Sequence, residues 1–133
     1  MRIRIRSFWP AIGMFILATT LLCIPGNKLP DEDWLGEINA DKLVHVGLFA
    51  ALVALWGLPV VARVQPDVNA RSTKTALFWV VTVAIVYGIG IEIIQGAYIP
   101  LRSYSLADMV ADSIGSIIGG FFVNHQVRSR VHQ

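Results

Sequence analysis

Four apolar runs, each close to the length that crosses a bilayer, constrain the fold of this chain more than any other feature. A spanning α-helix needs about 20 mainly apolar residues, and an open sheet cannot span because its edges stay unpaired in lipid. These runs account for the hydrophobic content of 55% and the mean hydropathy of +0.61. We predict a single all-α integral membrane domain over residues 1–133, with four transmembrane helices at about 8–24, 42–61, 75–94 and 106–123.

Local signals mark where these helices begin and end. Gly57 and Pro59 predict a kink or an early stop in the second helix, and Pro100 breaks the connection between the third and fourth. Residues 63–74 are predicted as a polar linker, and residues 125–133 as a polar tail. No cleavage site of the A-x-A kind closely follows the first apolar run, which predicts a retained helix rather than a cleaved signal peptide.

Positive charge is distributed unevenly among the connections. Eight of the eleven Lys and Arg residues lie in the N-terminal segment, the 63–74 linker or the tail. Because cytoplasmic loops of membrane proteins carry an excess of Lys and Arg, both termini are predicted to be cytoplasmic. The connections at 25–41 and 96–105 are then predicted to face outward.

Polar and ionisable residues gather at the predicted outer ends of the last three helices. A charge at the centre of a span costs at least about 2.5 kcal/mol on insertion scales, so such residues usually mark a function or a specific pairing. We predict that five of them converge in space: His45, Glu92, Arg102, Asp108 and Asp112. The full candidate ligand-binding set is Asp41, Lys42, His45, Glu92, Gln95, Arg102, Ser105, Asp108 and Asp112.

Small residues accompany these polar groups. Gly115 and Gly119 follow the carboxylates of the fourth helix and predict close approach by a neighbouring helix, and Gly88 and Gly90 predict the same for the third. The acidic faces of the third and fourth helices are therefore expected to face each other. Ser105 lies three residues before Asp108, which predicts a helix N-cap with a start like a capping box.

The same residues carry a family resemblance. The motifs are D41-K42-L-V-H45, E92-I-I-Q95, R102-S-Y-S105, D108-M-V-A-D112 and G115-S-I-I-G119. In order and spacing, from residue 41 to about 120, they resemble the VanZ-like membrane proteins, although Asp112 stands where that family more often has Asn. The resemblance implies a location in the bacterial cytoplasmic membrane and a part in the cell envelope and its response to teicoplanin, rather than a defined reaction.

Three interpretations of the polar residues remain open. In the first, they bind a lipid or envelope-precursor head group or a glycopeptide, with Arg102 as a bidentate phosphate partner. In the second, they form an ion-pair lock in an interaction protein, in which Lys42, Arg102 and His45 offer positive charge and Arg102 forks onto Asp108 or Glu92.

In the third interpretation the chain is a membrane-embedded enzyme acting on envelope lipids or precursors. Glu92 or Asp108 would serve as general base and His45 as acid. A metal-assisted form would hold a divalent ion with four side chains: His45, Glu92, Asp108 and Asp112. No other cofactor is expected.

Composition narrows the list of partners. The net charge is only +2 and no basic run occurs, so nucleic acid is not an expected partner. Membrane lipids are expected to contact the helices. Alternating-access transport would require a homo-oligomer, because four short helices are few for such a protein.

Overall fold

The computed structural model describes residues 7–26, 40–64 and 70–131. These residues form four α-helices and no strand: α1 (Trp9–Leu22), α2 (Ala40–Arg63), α3 (Ala70–Tyr98) and α4 (Leu106–Val131). The all-helical prediction is confirmed for this part of the chain. Three of the helices, α2, α3 and α4, are long and apolar enough to cross a membrane, which indicates a multi-pass membrane protein.

The first apolar run forms a helix shorter than a typical span. α1 contains 14 residues and ends at Leu22, followed by Cys23 at its C-cap. At 1.5 Å per residue it is about 21 Å long, whereas the hydrocarbon core of a bilayer is about 30 Å thick. The predicted helix at 8–24 therefore exists, but its described length is that of a short apolar helix.

The other three helices are longer than their predicted spans. α3 begins at Ala70, inside the predicted polar linker, and α4 continues through the predicted polar tail to Val131. α2 does not stop at Pro59, and Nη1 of Arg63 donates a hydrogen bond of 3.2 Å to the Pro59 carbonyl. Hydropathy marks only the part of a helix that lies in lipid, whereas backbone hydrogen bonding continues beyond it into water.

Close packing of α4 against α2 depends on two glycines. A Cβ at Gly115 would overlap the backbone of Val46, and a Cβ at Gly119 would overlap the carbonyl oxygen of Ala50. The predicted close approach at these two positions is therefore present, and α2 is the helix that makes it. The same prediction is wrong for Gly90, where a Cβ would meet no atom within 4 Å.

The antiparallel order of the helices places four helix ends together. The C-terminal ends of α1 and α3 and the N-terminal ends of α2 and α4 meet at what we call the polar end, joined by hydrogen bonds between these helices. Away from this end the core is mainly apolar and includes Phe49, Val53 and Val123. Large apolar side chains such as Phe78 and Trp79 face outward, as expected for a surface in contact with lipid.

Candidate functional site

A buried histidine–carboxylate pair joins α2 to α4 at the polar end. Nδ1 of His45 lies 2.8 Å from Oδ1 of Asp112, and both side chains are almost completely buried. A carboxylate only accepts hydrogen bonds, so the Nδ1–H of His45 donates to Asp112. The remaining ring nitrogen, Nε2, is then the one available to another partner.

Glu92 joins α3 to the beginning of α4. Its side chain is completely buried, and Oε2 accepts a hydrogen bond of 3.2 Å from the backbone N–H of Ser105. Ser105 caps α4 as predicted, because its Oγ accepts a hydrogen bond of 3.1 Å from the backbone N–H of Asp108. In a capping box the side chain at Asp108 would accept the Ser105 N–H, but here Glu92 takes that role. The Asp108 carboxylate is therefore not used in the cap.

Asp108 connects the buried residues to the surface. Its Oδ1 lies 3.6 Å from Nζ of Lys42, which donates a hydrogen bond of 2.9 Å to Oδ2 of Asp41. The exposed fraction of the side chain falls from 56% at Asp41 to 35% at Lys42 and 12% at Asp108. We call these three residues the mouth of the site.

Four ionisable residues from three helices lie beneath and at this mouth, and we call them the buried cluster: His45, Glu92, Asp108 and Asp112. His45, Glu92 and Asp108 each offer one potential metal-ligand atom, and these atoms all lie within 4.8 Å of one another. Three carboxylate oxygens of the cluster have no hydrogen-bond partner: Glu92 Oε1, Asp108 Oδ1 and Asp112 Oδ2. The cluster therefore has more acceptors than the surrounding side chains satisfy.

Arg102 does not join the buried cluster. Its Nε donates a hydrogen bond of 3.1 Å to the carbonyl of Ile24, and its Nη2 one of 3.4 Å to the carbonyl of Leu22. Gln95, also buried, donates through Nε2 to the same Leu22 carbonyl. The predicted convergence is correct for the other four residues and wrong for Arg102. Carbonyls at and just beyond the C-terminal end of a helix lack partners within that helix, and these two side chains supply partners for Leu22 and Ile24.

This placement removes Arg102 from the predicted ion-pair lock and leaves Lys42 and His45 as its positive partners. Among the described residues, the ion pairs at the cluster involve Lys42 and His45, and neither oxygen of Glu92 is in one. Lys42 is beyond hydrogen-bonding distance of Asp108. What the arrangement offers chemically is a set of acceptor oxygens and one imidazole nitrogen, suited to a cation or to a group rich in N–H and O–H donors.

Two contributors were missed by reasoning from sequence. Phe49 lies four residues after His45, on the same face of α2, and forms an apolar floor where it packs beside Gly88. Its spacing from His45 was the signal that could have identified it. The carbonyls of Leu22 and Ile24 are the second contribution, and the break at Pro25-Gly26 was the signal that α1 would end with exposed acceptors.

No model of a known protein family, no curated protein and no solved structure matches this chain. The geometry of the buried cluster and its mouth is therefore the basis for assigning a role to the protein.

Proposed function

We propose that the chain is a VanZ-like protein of the bacterial cytoplasmic membrane that binds, at the mouth, the polar head group of an envelope lipid or lipid-linked envelope precursor. One observation carries the proposal. Three oxygens of buried carboxylates lack hydrogen-bond partners, and one of them, Oδ1 of Asp108, lies 3.6 Å from an ammonium group that reaches the surface. Leaving a buried polar group unsatisfied costs about 1–3 kcal/mol, so a protein that keeps several of them together is expected to use them for a ligand.

The charges at the mouth suit a zwitterionic or phosphorylated head group. Lys42 offers N–H donors to a phosphate oxygen, while Asp41 and Asp108 accept hydrogen bonds from hydroxyl or amine groups. A whole head group cannot enter the cluster, because the exposed fractions of Glu92 and Asp112 are only 0% and 1%. The head group is therefore proposed to remain at the mouth, in contact with Asp41, Lys42 and Asp108.

Charge at the opposite end of the bundle supports an outward-facing mouth. Several Lys and Arg residues lie at the far ends of α2, α3 and α4: Arg63, Arg71, Lys74, Arg128 and Arg130. By the positive-inside rule this end is cytoplasmic, which makes four membrane-embedded helices with both termini inside. The mouth then opens at the outer leaflet, where lipid-linked envelope precursors are used.

Cysteine labelling tests this orientation. In a Cys23→Ala background, Tyr104→Cys is expected to react with a membrane-impermeant maleimide in intact cells, since Tyr104 is exposed at the polar end. Ser129→Cys, exposed near the end of α4, is expected to react only after permeabilisation. The reverse pattern would contradict an outward-facing mouth.

Binding is tested with purified protein in nanodiscs and a polyprenyl-diphosphate-linked disaccharide-peptide as the probe, measured by native mass spectrometry. Losing a charge-assisted hydrogen bond costs about 1.5–3 kcal/mol, so Lys42→Gln is expected to weaken binding about tenfold or more. Lys74→Gln, an exposed lysine of α3 at the other end, is the matched control and is expected to bind as the wild type does.

The same spectra separate binding from catalysis. An unchanged probe released from the complex supports a binding protein, whereas a probe with altered mass would show that the membrane-embedded enzyme is the correct interpretation. The proposal fails if binding does not saturate, or if Lys42→Gln and Lys74→Gln bind as tightly as each other.

A further inference from the structure

We infer that the buried cluster is a binding site for a divalent transition-metal ion, held by Nε2 of His45 and by carboxylate oxygens of Glu92 and Asp108. This deepens the proposed function and rests on it for its purpose, since the ion would provide the positive charge that a head-group phosphate meets beneath Lys42. The metal site itself is argued from the cluster alone.

The three ligand residues already lie close together. His45, Glu92 and Asp108 come from α2, α3 and α4, and one potential ligand atom from each lies within 4.8 Å of the other two. All three residues are buried. Each of these helices contributes one buried ligand, so an ion bound there would connect α2, α3 and α4 at the polar end.

Unsatisfied oxygens are the independent observation that favours a cation at this point. The Glu92 side chain is completely buried, one of its oxygens accepts the Ser105 N–H, and the other has no hydrogen-bond partner. Oδ1 of Asp108 is also without a hydrogen bond, with Lys42 3.6 Å away and engaged by Asp41. A bound cation would satisfy the oxygens that these neighbours leave without hydrogen bonds.

Asp112 acts as a positioning residue for the histidine ligand. Metal-bound histidines almost always donate their second ring N–H to a carboxylate or carbonyl, which fixes the tautomer and the ring orientation. The hydrogen bond of 2.8 Å from Nδ1 of His45 to Asp112 has this form, and it leaves Nε2 as the ligand atom. The buried cluster therefore contains both the ligands and the group that orients one of them.

The donor set indicates the class of ion. Mg²⁺ and Ca²⁺ prefer sites made only of oxygen, whereas an imidazole nitrogen combined with carboxylates suits Zn²⁺ or Mn²⁺. Three protein ligands leave at least one coordination position open, as in metal sites that take a water molecule or a substrate. Among the three ligands, Asp108 lies nearest the surface. The open coordination position is therefore expected to face the mouth.

Metal binding is tested on purified, chelator-treated protein by equilibrium dialysis against Zn²⁺ alone, with metal counted by mass spectrometry. We expect one Zn²⁺ per chain. His45→Gln and Glu92→Gln are each expected to weaken Zn²⁺ binding at least tenfold. His125→Gln is the matched control and is expected to bind Zn²⁺ as the wild type does, because His125 is exposed on α4 far from the cluster. The metal site is overturned if the wild type binds no Zn²⁺. It is also overturned if His125→Gln weakens Zn²⁺ binding as much as His45→Gln does.

A second measurement does not depend on whether the variants fold. Wild-type protein loaded with Mn²⁺ is expected to show ¹⁴N coupling from an imidazole in electron spin-echo spectra, because Nε2 of His45 would be a ligand. Bound Mn²⁺ without nitrogen coupling contradicts the proposed ligand set.

The two proposals fail separately. The precursor probe is added to protein with and without Zn²⁺, using the nanodisc assay described above. Zn²⁺ binding without probe binding in either condition contradicts head-group binding and leaves the metal site supported. Probe binding by a chain that takes up no Zn²⁺ contradicts the metal site and leaves head-group binding supported.

Discussion

Oδ1 of Asp112 on α4 lies 2.8 Å from Nδ1 of His45 on α2, in the buried region beside the contact between Gly115 and Val46. The two features depend on each other. The lack of a side chain at Gly115 lets the two helix backbones approach, and this approach brings the imidazole and the carboxylate to hydrogen-bonding distance. Close packing and the polar site are thus built by neighbouring residues of α4, Gly115 and Asp112.

Replacing Asp112 tests the value of this hydrogen bond. Asp112→Ala removes the acceptor of the His45 Nδ1–H and is expected to lower the free energy of unfolding by about 1–3 kcal/mol. Asp112→Asn keeps an amide oxygen as acceptor and is expected to lose less. Thermal melting in detergent micelles measures the difference, with Ser113→Ala as a neighbouring control. Equal melting temperatures for the wild type and Asp112→Ala would show that the pair does not stabilise the fold.

Substituting alanine for glycine is expected to have opposite effects at two positions. Gly115→Ala places a Cβ against the Val46 backbone, which cannot move without separating α2 from α4, and should lower stability by about 1–3 kcal/mol or more. Gly90→Ala meets no atom within 4 Å and should be neutral or raise stability by up to about 1 kcal/mol. Both variants are compared by thermal melting. Similar losses at the two positions would mean that α2 and α4 do not pack as described.

Arg102 is expected to hold the end of α1 to the bundle. Arg102→Ala removes its two hydrogen bonds to the carbonyls of Ile24 and Leu22, so α1 should detach more often. The half-buried Cys23 reports this opening, and its reaction with a maleimide is expected to become about tenfold faster. Arg128→Ala, in an exposed residue at the other end, is the control. An unchanged rate in Arg102→Ala would show that other contacts hold α1.

Asp108→Asn distinguishes a ligand site from an ion-pair lock. The substitution removes charge from a buried carboxylate whose Oδ1 has no hydrogen-bond partner, so the melting temperature should stay the same or rise. If the protein acts in the envelope, sensitivity to teicoplanin should nevertheless change to that of cells without the protein. A stability loss of about 3–5 kcal/mol, typical of a broken buried ion pair, would instead support the lock.

Reasoning from local sequence was sufficient for the helices and for the depth of the polar groups. Within lipid, each apolar run must satisfy its backbone N–H and C=O groups by hydrogen bonds within the same segment. A helix was therefore the only regular structure suited to it. The place of His45, Glu92 and Asp108 along their helices followed from counting residues from the helix ends, because the rise per residue is constant. The cap at Ser105 was also local, since it joins residues three apart.

Partner choice was decided only by the tertiary structure. Sequence spacing offered Arg102 the carboxylates of Glu92 and Asp108 as partners, but its hydrogen bonds are to the carbonyls of Leu22 and Ile24. Glu92 accepts the Ser105 N–H that sequence spacing assigned to Asp108, and a Cβ at Gly90 would meet no atom within 4 Å. These outcomes depend on how each helix is rotated about its axis and on which helix ends lie next to each other in the bundle. Residue spacing within one helix determines neither.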